Sequence, residues 1–449
     1  VTDIFVHDRQ TGTTERVSVD SLGVEGNAAS YSSRISGDGR YVVFLSDSDN
    51  LVVGDSNTFT DVFVHDRQTD STERVSVDSL GAEATLGVMN SPFYGRRPDI
   101  SIDGRYVVFQ SESDDLVAGD INGTFDVFVH DRQTDVTERV SVDSLGNESN
   151  DFSTGDTTEE HQISISGDGR YVVFASLASN LVGGDADGIN DIFVHDRQLD
   201  TTEIISVDSL GNQGNANSFS PSISNDGRYV AFKSISTNLV SSNTNVRPDI
   251  FVHDLQTGST ERVSVDSSGS EGDQNSFSPS ISGDGRYVAF RSNSTNLVSG
   301  DGNADYDVFV HDIQTGETEI VSVNSLGDEG DNNSITPSIS RNGQYVVFES
   351  LATNLVAGDT NGVSDIFFFD FNDPPTTITL DPSNIYENLP IGTVVGTLDA
   401  TDPNTSDVLT YALTCDSPEG GDISFEIVGD EVRTLEIFEY EVNTLYDIC

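Results

Sequence analysis

One phrase recurs along this chain at nearly fixed intervals, and the recurrence constrains the fold more than any other feature. The phrase D-[IV]-F-V-H-D, or its last variant DIFFFD, begins at Asp3, Asp61, Asp126, Asp191, Asp249, Asp307 and Asp365. A second phrase, S-x-x-G-[RQ]-Y-V-[VA]-F, ends at Phe44, Phe109, Phe174, Phe232, Phe290 and Phe348. Successive copies are 58 or 65 residues apart. A period of a few tens of residues is typical of proteins that repeat one supersecondary unit.

Each repeat predicts four short strands. A Ser-rich strand, such as residues 220–224, meets an Asp-Gly or Asn-Gly turn, which is the strongest short-range signal for a hairpin. RYVVF and DIFVHD follow and are apolar on both faces, as strands buried on both sides are. After the turn DRQTGTTE, the segment RVSVDS alternates polar and apolar residues like a half-exposed edge strand. The sequence therefore predicts an all-β chain whose four-stranded units are the blades of a β-propeller.

The phrase S-x-D-G-[KR]-x-[IV]-x-F, followed by an Asp-initiated third strand, resembles the WD-like repeat of TolB-type β-propellers. The resemblance covers residues 1–371 and implies a ring of four-stranded blades. The chain supplies six pairs of first and second strands, seven third strands and six fourth strands. We therefore favour six blades, with the N-terminal strand completing the last sheet. Seven blades, with the start of the parent protein missing, is the alternative.

The charge balance restricts the partners and the location of the chain. There are 76 acidic and 21 basic residues, so the formal net charge is −55 and nucleic acid is an unexpected partner. Lysine occurs once, at Lys233, and the other basic residues are arginine, which suits a salty or calcium-rich exterior. No run of eighteen apolar residues predicts a membrane span. We expect an extracellular, cell-surface or periplasmic protein.

Two repeats are seven residues longer than the others, in loops that propeller topology assigns to one face and to neighbouring blades. The insertions span roughly residues 85–97 and 151–161. The first insertion carries aromatic and guanidinium side chains, which commonly anchor partners. Its candidate ligand-binding residues, for a protein or a glycan, are Phe93, Tyr94, Arg96 and Arg97. The alternative is a decorated surface loop without a ligand.

Three loops before the third strands follow the pattern D-x-[DN]-G-x-x-D. Alternating oxygen ligands with a glycine at the bend can hold calcium, and the pattern resembles the calcium loops of integrin-type propellers without their first acidic ligand. The candidate ligands are Asp185, Asp187 and Asp191; Asp120, Asn122 and Asp126; and Asp359, Asn361 and Asp365. The alternative is a set of Asx turns that cap the third strands.

The sequence predicts no catalytic constellation. Six copies of the repeat place a histidine on the third strand, away from the axis, and the seventh copy has Phe369 there, which favours a packing role. No G-x-S-x-G motif is present. We therefore expect a binding protein and keep a propeller enzyme as the alternative.

Residues 372–449 resemble a cadherin repeat through NDPP, YENLPIGTVV, ATDPN and FEYE, in that order. The resemblance implies a β-sandwich that binds calcium at the junctions between domains. Its candidate ligands are Asn372, Asp373, Glu387, Asp402, Asn404, Glu439 and Glu441. The family also implies further cadherin-like repeats beyond Cys449. The alternative is a sandwich whose acidic residues are merely solvated.

The two cysteines, Cys415 and Cys449, lie on segments that are neighbouring strands in cadherin-like sandwiches. The resemblance therefore implies a disulfide, which fits an oxidising exterior. Two functions remain open. The first is a calcium-dependent binding or adhesion module with a cadherin-like stalk. The second is a propeller enzyme or substrate-gating domain that acts on polysaccharide or peptide.

Overall fold

The computed structural model describes residues 2–86, 97–152, 163–185, 188–371, 377–381, 389–401 and 425–435. Within these residues the regular structure is β-strand, and none of them forms a helix that could cross a membrane. The strands up to residue 370 are β1 (Phe5–Asp8), β2 (Thr13–Arg16), β3 (Ser30–Ile35), β4 (Tyr41–Ser46), β5 (Asp61–Asp66), β6 (Ser71–Arg74), β7 (Asp99–Ile100), β8 (Tyr106–Ser111), β9 (Asp126–Asp131), β10 (Val136–Arg139), β11 (Ile163–Ile165), β12 (Tyr171–Ser176), β13 (Asp191–Asp196), β14 (Thr201–Ile204), β15 (Ser218–Ile223), β16 (Tyr229–Ser234), β17 (Asp249–Asp254), β18 (Ser259–Arg262), β19 (Ser276–Ile281), β20 (Tyr287–Ser292), β21 (Asp307–Asp312), β22 (Thr318–Ile320), β23 (Ser334–Ile339), β24 (Tyr345–Ser350) and β25 (Asp365–Asp370).

These strands form antiparallel sheets in chain order. Sheets 1 to 5 have four strands each: β3–β6, β7–β10, β11–β14, β15–β18 and β19–β22. Sheet 6 has three strands, β23–β25, and β1 with β2 forms a separate two-stranded sheet, the N-terminal hairpin. The predicted all-β chain of four-stranded units is confirmed.

In sheets 1 to 5 the fourth strand begins earlier in the sequence than predicted. In sheet 1 the strand is β6, which ends at Arg74, whereas the prediction placed it in the following RVSVDS segment. The tight turn after Asp66 explains the shift, because the Asp66 carboxylate accepts the backbone N–H of Gln68 and so brings Ser71 opposite Asp66. Val75, in the predicted half-exposed strand, is fully buried.

The third strands lie at the centre of the sheets, as their composition predicts. In β5, β9, β13, β17 and β21 all six residues are buried. Each pairs a phenylalanine with one on the second strand, as Phe174 does with Phe193, and the two rings stack 5.8 Å apart. The core continues between sheets, where Val62 of sheet 1 clusters with Phe109 and Phe128 of sheet 2. Neighbouring sheets therefore bury both faces of the third strands in sheets 1 to 5.

The Asp-Gly turns shape each sheet and also fit it to the next one. Asp103 accepts hydrogen bonds from the hydroxyl of Ser101 and the backbone of Arg105, which fixes the turn. Gly104 has φ +72°, and a Cβ at this position would overlap the ring of Tyr41 in sheet 1. Glycine is therefore required at this position both by the backbone conformation and by the closeness of the neighbouring sheet.

The first strands meet around a common axis. Where each first strand ends, backbone hydrogen bonds of 2.8 to 3.0 Å link one sheet to the next, through Gly37, Ile102, Gly167, Asn225, Gly283 and Arg341. These bonds run from sheet 1 to sheet 6. Six antiparallel sheets that face a common axis form the arrangement of a β-propeller.

The N-terminal hairpin contacts both the last and the first sheet. Ile4 and Val17 of the hairpin pack against Phe44 of sheet 1. On its other side, the guanidinium carbon of Arg9 lies 3.1 Å from the ring centroid of Phe368 and 5.4 Å from that of Tyr345, both in sheet 6. The hairpin therefore lies between the two ends of the series of sheets.

The chain divides into two compact units, Val1–Phe369 and Asp370–Cys449. The second unit contains β26 (Thr377–Asp381), β27 (Val394–Thr401), β28 (Phe425–Val428) and β29 (Glu431–Thr434). They form one antiparallel sheet in the order β26-β27-β29-β28, and Val395, Phe425 and Val432 form its small core.

Candidate functional site

Several repeats build a similar group of acidic side chains at the start of the third strand. In sheet 1 the group consists of Asp55 in the preceding loop, Asp61 at the start of β5, and Glu83 after the fourth strand. Asp61 is fully buried, and the hydroxyl of Ser76 donates a hydrogen bond of 2.5 Å to its Oδ1. We call such a group a carboxylate cluster.

An arginine from the fourth strand neutralises most of the clusters. In sheet 1, Nη1 of Arg74 lies 2.7 Å from Glu83, 3.3 Å from Asp55 and 3.6 Å from Asp61. In sheet 2, Arg139 makes the corresponding contacts at 2.9, 3.1 and 3.6 Å. The equivalent arginines are Arg262 in sheet 4 and Arg16 in the hairpin, and each contacts the acids of its own cluster.

Sheet 3 compensates its cluster in a different way. Ile204 stands in the arginine position, and Gln213 stands where the other clusters have a glutamate. The amide nitrogen of Gln213 donates hydrogen bonds to Asp191 at 2.6 Å and to Asp185 at 3.2 Å. Sheet 3 therefore lacks the arginine, but it also has one carboxylate fewer, and the amide of Gln213 donates hydrogen bonds to the two that remain.

Sheet 5 keeps three acids without either compensation. Its fourth strand has Ile320 in the arginine position, and Asp301, Asp307 and Glu329 are all present. One carboxylate oxygen of each residue lies within 4.8 Å of those of the other two. Among the residues that the structure describes, this is the one group of acidic, histidine or cysteine side chains with the spacing of a metal site.

Burial and repulsion between carboxylates raise the pKa values of the two aspartates in this cluster. Burial, together with the nearby Asp301, Glu329 and Asp305, raises the pKa of Asp307 to about 7. Burial also raises the pKa of Asp301 to about 6, with Glu329 and Asp273 as additional causes. The charged neighbours that perturb this cluster are therefore acidic.

The predicted calcium loops have their amide groups turned toward the protein. Nδ2 of Asn122 donates to Asp126 at 2.8 Å and to the carbonyl of Ser149 at 3.0 Å, while Oδ1 accepts the N–H of Thr124 at 2.9 Å. Asn361 makes the same contacts with Asp365 and Val363. The hydrogen bonds that the two Oδ1 atoms accept are those of Asx turns.

The remaining loop acids occupy different environments. Asp120 is paired with Arg139, Asp185 and Asp191 accept from Gln213, and Asp359 accepts the N–H of Asn361 at 3.4 Å. Asp187 lies outside the described residues. Calcium binding by these three loops stays a prediction.

The repeated histidines make local hydrogen bonds. In sheets 1 to 5, Nδ1 of each histidine lies 2.8 to 2.9 Å from the hydroxyl of a threonine on the fourth strand; the histidines are His65, His130, His195, His253 and His311. Burial lowers the pKa of each. The histidines thus serve packing in separate sheets.

The central channel is a cavity of about 580 Å³ lined by the first strands of all six sheets. Isoleucines and serines repeat around it, and Arg34, Asp99 and Arg341 interrupt the repetition. Arg341 stands where sheets 1, 3 and 5 have glycine, and its guanidinium reaches Gly37. Burial lowers the pKa of Arg341, and Nη1 is buried without a hydrogen-bond partner.

Several predicted site residues lie outside the described part of the chain. They are Phe93, Tyr94, Arg96, Asn372, Asp373, Glu387, Asp402, Asn404, Glu439, Glu441, Cys415 and Cys449. Arg97 is described and is half-buried, just before the first strand of sheet 2. The ligand, calcium and disulfide assignments of these residues stay predictions.

Comparison with known proteins gives a likeness of overall structure. No family model and no curated protein matches the chain. TolB from Acinetobacter baumannii is 17% identical with a TM-score of 0.37, covering 66% of this chain and 58% of that one. The β-propeller domain of the Trilobed protease from Pyrococcus furiosus is 12% identical with a TM-score of 0.46, covering 78% and 84%. An oligogalacturonate lyase in complex with manganese is 11% identical with a TM-score of 0.47, covering 82% of each chain.

Proposed function

We propose that this chain is an exported or cell-surface binding module that holds an anionic group of a protein or glycan at one end of its propeller channel. The guanidinium of Arg341 is the observation that supports this proposal. It projects into the channel beside the Asn-Gly turn of sheet 6. A buried donor without a partner is costly, so a ligand oxygen at Nη1 would recover that free energy.

The chemistry of the channel favours a carboxylate. Arginine forms paired, charge-assisted hydrogen bonds with planar oxyanions, and a channel wall of isoleucine and serine suits the body of a sugar or a short peptide. The chain as a whole has a formal charge of −55, so the positive charge that Arg34 and Arg341 bring to the channel marks the place where an anionic ligand would be attracted. Uronate-bearing oligosaccharides and peptides with a free C-terminus are the matching ligand classes.

Binding can be measured on an array of uronate-bearing and neutral oligosaccharides together with peptides whose C-termini are free or amidated. Arg341→Gly introduces the residue that sheets 1, 3 and 5 already carry, and we expect it to weaken binding at least about tenfold, because one charged hydrogen-bonding group contributes roughly 1.5–3 kcal/mol. Arg247→Ala, at a half-buried arginine that does not line the channel, is the control. Equal binding by wild type and Arg341→Gly would contradict the proposal.

The proposal includes the arrangement of the whole chain. We propose a propeller of six blades, with the N-terminal hairpin joining the last blade to the first. Residues 372–449 act as a cadherin-like stalk stiffened by calcium, and Cys415 and Cys449 form its disulfide. The motif order in this segment and its antiparallel sheet support that assignment. Mass spectrometry of the unreduced exported protein tests the disulfide, and free thiols would count against it.

A propeller enzyme or substrate-gating domain is the second candidate. The channel carries a carboxyl group at Asp99 as well as the guanidinium of Arg341, so acidic and basic groups meet in one cavity. Turnover of an oligosaccharide or peptide that disappears in both Asp99→Asn and Arg341→Gly would favour catalysis. Binding without turnover favours the recognition module.

A further inference from the structure

The carboxylate cluster of sheet 5 differs from the clusters of sheets 1 and 2 at the position of the arginine. In sheets 1 and 2 the same three acids surround an arginine side chain, whereas sheet 5 has Ile320 at that position. An isoleucine cannot neutralise charge. The three acids therefore converge without the positive group around which the repeat is built.

Asp307 presents a free oxygen in this cluster. Its side chain is fully buried, and the hydroxyl of Ser322 donates to Oδ1 at 2.6 Å. The other oxygen, Oδ2, is buried and has no hydrogen-bond partner. In sheets 1 and 2 the equivalent oxygen lies 3.6 Å from the arginine and also accepts an asparagine amide, whereas the corresponding Asn303 of sheet 5 donates to the carbonyl of Gly330. A buried carboxylate oxygen without a donor is costly, so this atom indicates a missing positive ligand.

The backbone orders the third acid even without a cation. The N–H of Gly302 donates to Oε2 of Glu329 at 3.0 Å, as the N–H of Ile121 does to Glu148 at 3.1 Å in sheet 2. Glu329 is therefore held in the same position as a glutamate whose partner is an arginine. The cluster keeps the form of an occupied site.

We propose that Asp301, Asp307 and Glu329 bind one calcium ion in the place that an arginine side chain takes in sheets 1 and 2. Calcium takes six to eight oxygen ligands at about 2.3–2.6 Å, so two of its ligand oxygens lie at most about 5 Å apart. The carboxylate oxygens of the three residues satisfy this limit, because they lie within 4.8 Å of one another. Water can fill the remaining coordination positions.

Sheet 3 lacks the arginine too, but a different side chain compensates its aspartates. There the change from arginine to Ile204 accompanies a change from glutamate to Gln213, whose amide donates to both aspartates. Sheet 5 has the first change without the second. This site is separate from the channel and from the three D-x-[DN]-G loops, so it does not depend on the function proposed above.

Calcium alone is the probe, titrated by isothermal calorimetry into the full chain after treatment with a chelator. We expect Ile320→Arg, which restores the arginine of the other clusters, to bind one calcium ion fewer than wild type. Glu329→Gln, which copies Gln213, should also lose one ion. Glu271→Gln removes the equivalent acid from the arginine-containing cluster of sheet 4 and should leave the number of bound ions unchanged.

The count of ions decides the result even if calcium also binds elsewhere in the chain. Far-UV circular dichroism verifies that each variant is folded, and Glu329→Gln carries the test if Ile320→Arg is not. The same number of bound ions in wild type and in the folded sheet 5 variants would overturn the proposal. Loss of an ion in Glu271→Gln as well would also overturn it, because the effect would then not be specific to the cluster without arginine.

Discussion

Replacing Arg139 by isoleucine gives sheet 2 the composition that sheet 5 has naturally. The Arg139 side chain is 8% exposed and contacts Asp120, Asp126 and Glu148 within 3.6 Å. Removing one partner of a buried ion pair leaves uncompensated charge and typically costs about 3–5 kcal/mol. We therefore expect Arg139→Ile to lower the free energy of unfolding by about that amount in the presence of a chelator.

A second change separates charge from packing. The double variant Arg139→Ile/Glu148→Gln reproduces the cluster of sheet 3, in which Ile204 and Gln213 occur together. The new amide can donate to both aspartates, as the amide of Gln213 does at 2.6 and 3.2 Å. We expect the double variant to be more stable than Arg139→Ile, although it carries one substitution more.

Urea unfolding at pH 8, followed by far-UV circular dichroism, measures these differences; the chain has no tryptophan to serve as a fluorescent probe. Adding calcium should stabilise the single variant more than the double variant, because a ligand of the folded state stabilises it by mass action. A double variant that is no more stable than the single one would refute the reasoning. It would show that lost arginine packing, and not uncompensated charge, causes the damage.

Two further predictions concern repeated positions. Burial lowers the pKa of His311 to about 4, so the unfolded chain takes up the proton first and the free energy of unfolding decreases as the pH falls below 6.5. In His311→Phe, which copies Phe369 of the last repeat, the decrease between pH 8 and pH 4, measured by urea unfolding, should be smaller by about 3 kcal/mol. An unchanged pH dependence would contradict this. Gly104→Ala should lower the melting temperature more than Gly81→Ala. Both glycines have positive φ, so alanine costs about 1–2 kcal/mol of backbone strain at either position, but a Cβ at Gly104 would also overlap Tyr41. Equal melting temperatures of the two variants would contradict this.

The repeats made the sheets predictable, because each strand carries its own pattern of apolar residues and its own turn. The exact fourth strand was not predictable from alternation, since Val75 and Ser76 are buried by the neighbouring strand and by Asp61. The spacing within one loop predicted Asn122 as a calcium ligand, but it did not predict that Glu148, from another segment, joins the acids of that loop. Alternating oxygens in a sequence do not reveal that an amide turns its nitrogen toward the aspartate.

The sheet 5 cluster was missed for a related reason. Asp301, Asp307 and Glu329 come from three segments that strand pairing brings together, and no local motif contains all three. Aligning the copies would have shown the signal, because Ile320 occupies a position that is arginine in most repeats. The change from arginine to isoleucine indicates a cluster without a cation only when the contacts of the arginine with the three acids are known. Physical proximity, and not sequence spacing, defines this site.

The series of backbone hydrogen bonds around the axis has two ends, and this has a mechanical consequence. Within the described residues, these bonds join sheets 1 to 6 in sequence. Side-chain contacts follow at the junction of the two ends: Arg341 of sheet 6 reaches Gly37 of sheet 1, and Arg9 of the N-terminal hairpin lies over Phe368 of sheet 6. A force that pulls the N-terminus outward acts directly on this junction. The propeller should therefore tear open there first, and its other five junctions should bear load only after the hairpin has peeled away.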